Sequence, residues 1–308
     1  MLFRSIMKFF YWINVWLKAA RAPFLVVSFI PAVLGGVLAW KDGSFDWTIF
    51  LLTTIGIVLA HSAADFIDDY FDYKNDNLGN KESQFHDSPL ISGEVTPNQV
   101  LWATAICLIP AVGIGVYLYF LIGWPVISMA ALGAFIVFFY TSPPLRLNYR
   151  GLGETALFVA FGPMIVFGVY FVLTQQFSWE PILLSIPIGI FTMNVGLVSN
   201  TFDYEDDVKS KKRTFPVRFG QSNAVKFLNV ATIVAFAIIV AAAFFQLVSY
   251  FSLLMVLLLV LAFRVLNDTR KFTELNRYTR AMGSAIALSS LSGILLTLGY
   301  LGEIYLLN

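Results

Sequence analysis

Residues 47–76 read WTIFLLTTIGIVLAHSAADFIDDYFDYKND, an apolar run that ends among five aspartates, Asp65, Asp68, Asp69, Asp72 and Asp76. About twenty apolar residues are what a helix needs to cross a bilayer. Carboxylates at the edge of such a helix are costly and call for a partner. A second apolar run ends the same way, in SNTFDYEDDVKSKKRT at 199–214, with Asp203, Asp206 and Asp207. Hard oxygen ligands suit Mg²⁺, which keeps most of its waters and is shared between one or two carboxylates and a substrate phosphate. Two such clusters facing each other predict a diphosphate site at a membrane boundary.

The spacing sharpens this. Asp65, Asp69, Asp72 and Asp76 fall at i, i+4, i+7 and i+11, one face of an α-helix, and Asp203 and Asp207 are stacked at i, i+4. Like charges stacked in this way repel, and bound cations relieve the repulsion. Asp206 points off that face and reads as solvated. The competing reading is that both clusters are solvated helix ends. Two clusters, each with basic residues nearby, favour the site.

The rest of the chain supplies the solvent. Of its 308 residues, 58% are hydrophobic, 16% aromatic and only 13% charged, about half the charge of a soluble domain. Nine apolar stretches are long enough to span, at about 24–40, 47–69, 98–121, 124–140, 152–174, 181–202, 223–245, 248–264 and 281–305. The expected fold is therefore all-α: a polytopic membrane protein with nine transmembrane helices around a central cavity, in a single domain over 1–308. Segment 8–21, with Trp12, Trp16, Lys18 and Arg21, reads as an amphipathic helix lying along the interface, and the N-terminus lacks the form of a removable signal peptide. Of the 20 Lys and Arg residues, only Lys41 falls in an odd-numbered connection. The positive-inside rule then places the N-terminus and the acidic loops in the cytoplasm and the C-terminus outside. The single cysteine, Cys107, lies within the third stretch and gives neither a disulfide framework nor a CxxC metal site. The expected surroundings are a lipid bilayer, with no nucleic-acid partner.

At the acidic clusters the chain resembles the UbiA superfamily of intramembrane prenyltransferases. DDYFDYKND (68–76) is similar to that family's first motif, NDxxDxxxD, with Asp68 in the Asn position and Asp69, Asp72 and Asp76 in the Asp positions. Asn200, Asp203 and Asp207, followed by Lys212-Arg213-Thr214 and Val217-Arg218-Phe219-Gly220, resemble the second motif and the KRTxxVRxG run. FYTSPPLRLNYRGLGE (139–154) and FGP (161–163) look like the branch that makes menaquinone, the 1,4-dihydroxy-2-naphthoate prenyltransferases.

The resemblance implies Mg²⁺-dependent transfer of an isoprenyl group from an allylic isoprenyl diphosphate to an aromatic acceptor of naphthoate type. It implies that Asp69, Asp72, Asp76, Asp203 and Asp207 hold the metal, with Asp68 and Asn200 as supporting oxygen ligands. Arginine binds phosphate as a fork and lysine as a point charge, so Arg21, Lys212, Arg213 and Arg146 are the diphosphate candidates. Tyr140 is a candidate for stabilising the allylic cation through its ring face and for lining the acceptor site. Arg146 and Arg150 are placed to meet an acceptor carboxylate.

Four other polar residues are less informative. His61, four residues before Asp65, either touches the acceptor, orients an aspartate or is a hydrogen-bonded core histidine. His86 reads as solvated, and Asn194 as glue between helices. Glu154 reads as a helix-start carboxylate or a polar neighbour of the site. Two alternatives stand beside the main reading. One is prenylation of a glycerol-phosphate lipid acceptor. The other is an ion-coupled secondary transporter, against which the acids lie at one boundary and not at the midplane.

Overall fold

The computed structural model describes residues 2–75 and 88–307, and Asp76 and His86 lie outside the described residues. Every regular element among those residues is helical. α1 (Leu2–Ala19) buries Val15 and Ala19 and exposes Phe9, Phe10, Tyr11, Trp12 and Leu17, the pattern of a helix lying in a membrane interface. Arg21 links it to α2 (Ala22–Lys41) in a left-handed conformation, φ 46°. α3 (Trp47–Lys74) is capped by Asp46, which accepts from the Ile49 amide at 2.8 Å. α4 (Pro97–Ile122) begins with a reciprocal Thr96–Gln99 capping box and proline in the first turn. α5 (Trp124–Phe139) follows after Gly123.

A loop with a short 3₁₀ turn, Asn148–Arg150, leads into α6 (Gly153–Val159). A π-turn at Ala160–Met164 joins α6 to α7 (Ile165–Thr174), so that Gly153–Thr174 forms one span. α8 (Trp179–Phe202) is followed by three elements in close order: α9 (Tyr204–Lys209), α10 (Phe215–Phe219) and α11 (Gln221–Phe244). A 3₁₀ segment, Tyr250–Leu258, continues into α12 (Leu259–Thr269), and α13 (Tyr278–Leu307) closes the chain.

Among the described residues, 8 helices are long and apolar enough to cross a membrane. The fourth expected span, 124–140, is α5, a shorter apolar helix of 16 residues, about 24 Å at 1.5 Å per residue against a hydrocarbon core of about 30 Å. α8 lies at the centre, packed on α11, α13 and α6, with Leu184, Ile188, Phe191 and Leu197 in the main core. Asn194 donates to Thr232 Oγ1 at 3.0 Å and Thr192 meets Ser289 at 2.9 Å, so polar side chains join α8 to α11 and α13. α4 is the opposite case, exposing Ile106, Ile109 and Phe120. Such an apolar outer surface suits lipid, not water.

Glycine sets one close approach that matters for the site. A Cβ on Gly189 of α8 would stand 2.7 Å from the Phe158 carbonyl, and one on Gly162 would stand 2.7 Å from the Ser185 carbonyl. The α6 and α8 backbones therefore touch, and the polar ends of these helices are brought to one place.

Candidate active site

The aspartates of α3 and those at the end of α8 face one cavity of ≈ 700 Å³. On α3 the wall is formed by Gly56, Ala60, His61 and Ala64, and then by Asp65, Asp68 and Asp72. The face differs by one position from the one read in the sequence. Asp65, Asp68 and Asp72 (i, i+3, i+7) line the cavity. Asp69 is buried beside them, bonded to Arg21, with the Ser88 hydroxyl at 3.5 Å. Successive residues are about 100° apart on a helix, so Asp68 and Asp69 straddle the line through Asp65 and Asp72.

Asp68, Asp72, Asp203 and Asp207 each have polar partners. Asp72 accepts from Tyr149 Oη at 2.8 Å and stands 3.5 Å from Lys212 Nζ. Asp68 pairs with Arg21 at 3.2 Å. Asp203, at the bend between α8 and α9, accepts from Ser199 and Tyr278, both at 2.9 Å. One turn on, Asp207 accepts from Thr214 at 2.9 Å and stands 3.8 Å from Lys212. A single buried lysine thus reaches both acidic banks. Burial works against its charge, yet Asp72, Asp207 and Asp68 hold its ammonium well above the ordinary lysine range. Burial pushes Asp203 up to about 6 and Asp207 up to about 7, with Lys212 opposing the shift at Asp207.

Asn200 lines the cavity and donates to Glu154 at 2.9 Å. Glu154 also accepts from the Phe215 amide at 3.2 Å, tying the start of α6 to the end of α8 and the start of α10. Tyr140 lines the cavity too. The other cations read from the sequence lie elsewhere. The Arg146 guanidinium rests over the Tyr149 ring at 5.6 Å. Arg150 is exposed and donates to the Pro144 carbonyl at 3.0 Å. Arg213 is exposed, and its backbone amide bonds the Tyr149 carbonyl at 3.1 Å. None of these three is on the cavity wall, whereas Arg21 and Lys212 are. Asp206 reaches the wall and pairs with Lys209 at 3.3 Å.

The partners missed in the sequence are Tyr149, Tyr278, Ser199 and Thr214. Thr214 and Tyr149 lie inside quoted motifs, while Tyr278 has no local signal.

The donor set suits a hard divalent cation. The Asp68 Oδ1 atom is buried on the cavity wall without a hydrogen-bond partner. Among the described residues, no three carboxylate, imidazole or thiol groups converge to enclose a metal by themselves. Mg²⁺ asks for no such cage: one or two carboxylates with substrate phosphate suffice.

Residues 28–302 match the family model described as the UbiA prenyltransferase family. The 1,4-dihydroxy-2-naphthoate octaprenyltransferase of Bacillus subtilis (strain 168) is 27% identical over 219 residues, covering 71% of this chain and 70% of that protein. The 2-carboxy-1,4-naphthoquinone phytyltransferase of Synechocystis sp. is 27% identical over 232 residues, 73% of this chain and 72% of that protein. Among solved structures, a UbiA homolog from Aeropyrum pernix K1 superposes with a TM-score of 0.68 at 15% identity, over 91% of this chain and 98% of that one. A UbiA homolog from Archaeoglobus fulgidus bound to GPP and Mg²⁺ gives 0.58 at 14% identity, over 92% and 99%.

Proposed function

We propose that this chain, which belongs to the UbiA prenyltransferase family, transfers an isoprenyl group from an allylic isoprenyl diphosphate to an aromatic acceptor of naphthoate type. The observation that carries the reading is the meeting of two acidic banks and two cations, Arg21 and Lys212, at one end of an otherwise apolar cavity. The relatives named for naphthoate and naphthoquinone substrates support the choice of acceptor.

Asp68, Asp72, Asp203 and Asp207 would hold Mg²⁺, with Asp69 and Asn200 behind them and Asp76 by its place in the motif. When bound, the cation supplies Lewis-acid neutralisation of the leaving diphosphate. Arg21 and Lys212 add fixed positive charge at the same end, where their own counterions are the aspartates. Apolar walls keep water from the allylic cation, and the Tyr140 ring offers its negative face to it. Alanine and glycine, as at Gly56, Ala60, Ala64 and Gly115, leave the room that a prenyl tail fills. The excess of basic residues on that side favours a cytoplasmic acidic end, where a soluble diphosphate is supplied.

Given a panel of acceptors with Mg²⁺ and isoprenyl diphosphates, the purified protein should prenylate a dihydroxynaphthoate in preference to 4-hydroxybenzoate or a glycerol-phosphate ether. Mass spectrometry of the products reads the outcome. Transfer to the glycerol-phosphate acceptor alone would overturn the acceptor assignment and leave the enzyme class standing. That arm has its own motive, since a digeranylgeranylglyceryl phosphate synthase shares the fold with a TM-score of 0.60.

Protons compete with the cation for Asp203 and Asp207. Their raised carboxyl pKa values, about 6 and about 7, mean that the protonated fraction falls as pH rises from 6 to 8. The Mg²⁺ concentration for half-maximal rate should therefore fall over that interval. A flat or rising value would show that these carboxylates do not bind the metal.

A further inference from the structure

One turn from Asp65, further along α3 toward its apolar start, the cavity wall carries an imidazole that the chemistry above leaves unused. His61 Nδ1 lies 2.9 Å from Ser28 Oγ. The Ser28 hydroxyl has a single proton, and it is committed to the Leu25 carbonyl at 3.0 Å. Ser28 must then accept, so His61 donates from Nδ1 and keeps its lone pair on Nε2. The ring is further fixed edge-to-face on Phe161, at 4.7 Å between centroids.

Nε2 in turn stands 3.7 Å from Asp65 Oδ2, too far for a hydrogen bond, and Oδ2 is a buried atom with no partner. His61, Ser28, Phe161 and Asp65 all line the cavity. The wall therefore presents two acceptors side by side and no donor between them. Of the two, Oδ2 is a buried acceptor without a donor, which is unfavourable and marks a place for a ligand that brings one.

We propose that His61 is an acceptor-binding residue: its Nε2 takes a hydrogen bond from a phenolic hydroxyl of the aromatic acceptor, with Asp65 Oδ2 beside it for a second one. This rests on the aromatic-acceptor reading given above. The surroundings select the ligand. Phe161, Ile57 and Ala60 offer apolar surface to a flat ring, and the two acceptors select hydroxyl donors. A phosphate headgroup would bring further acceptors against them and is disfavoured there. The bond also polarises the O–H toward nitrogen, which raises electron density on the ring carbons that attack the allylic cation.

The test uses the full-length protein in detergent with a dihydroxynaphthoate, its hydroxyl-methylated ether and a fixed allylic diphosphate. His61→Phe keeps a ring but removes the inward lone pair. Its KM for the acceptor should rise about tenfold, the worth of one neutral hydrogen bond, while the KM for the diphosphate stays as in the wild type. His61→Gln, whose amide oxygen can reach the Nε2 position, should recover part of the loss. The methyl ether should react equally poorly with wild type and His61→Phe.

An unchanged acceptor KM in His61→Phe, or a parallel rise in both KM values, overturns the role of His61. If His61→Phe does not fold, as judged by its thermal midpoint, the same comparison is made with His61→Asn, which keeps the contact to Ser28 and has nothing at Nε2. Wild-type protein that prenylates no phenol overturns the aromatic-acceptor reading, and this proposal with it. Wild-type protein that does so, with a variant that matches its acceptor KM, overturns this proposal alone.

Discussion

Asp72→Ala should lower prenyl transfer by about a thousandfold, the upper range for removal of one preorganised electrostatic contact, with the protein still folded in the membrane. Asp72 is the carboxylate that the cavity, Tyr149 and Lys212 share, so its loss removes charge where, in the proposed reaction, the leaving diphosphate develops its own. Asp203→Ala should have an effect of the same order, because Asp203 belongs to the facing bank and is fixed by two hydroxyls, Ser199 and Tyr278. Glu205 is exposed on the same short helix as Asp207. Glu205→Ala should stay within about twofold of wild type, as surface substitutions do. Initial rates with purified protein, beside size-exclusion profiles, decide the matter. Near-wild-type turnover in Asp72→Ala or Asp203→Ala would mean that the two banks do not act on one substrate.

Much of this arrangement was legible because two periodicities are written into the sequence. The apolar stretches fixed the helices to within a few residues: 47–69 was read where α3 runs Trp47–Lys74, and 181–202 where α8 runs Trp179–Phe202. Segment 124–140 folds as the 16 residues of α5, within one residue of the stretch read in the sequence. Length is set there by Gly123 at φ 99° before it and by the turn after Phe139. The acidic periodicity put Asp69 on the face of Asp65 and Asp72, whereas the cavity wall carries Asp68, since Asp68 and Asp69 sit on either side of one line. Partners distant in sequence were not legible at all. Tyr149 is 77 residues from Asp72, and Tyr278 is 75 from Asp203; phenols carry no charge pattern to give them away. Charge pointed instead to Arg146 and Arg150, and backbone geometry turned both off the wall: Arg146 has φ 47°, and Arg150 closes the 3₁₀ turn.

Lys212→Met should weaken both the enzyme and its fold, and Mg²⁺ should restore the fold more than the activity. Lys212 is buried between Asp72 and Asp207 and is the link between α3 and the segment after α9. Taking away one member of a buried charge group leaves the rest uncompensated, at a cost on the order of 3 kcal/mol. The thermal midpoint in chelator should therefore drop by several degrees. A divalent cation that binds the same carboxylates replaces the missing charge and stabilises only the folded state, by the logarithm of its saturation. The rise in midpoint on adding Mg²⁺ should thus be larger for Lys212→Met than for wild type, where the ammonium already competes for those oxygens. Prenyl transfer should remain low in the saturated variant, because one of the two cations at the diphosphate end is gone. An equal midpoint rise in the two proteins would separate Lys212 from the metal-binding carboxylates. Full recovery of rate with Mg²⁺ would confine the lysine to a structural part.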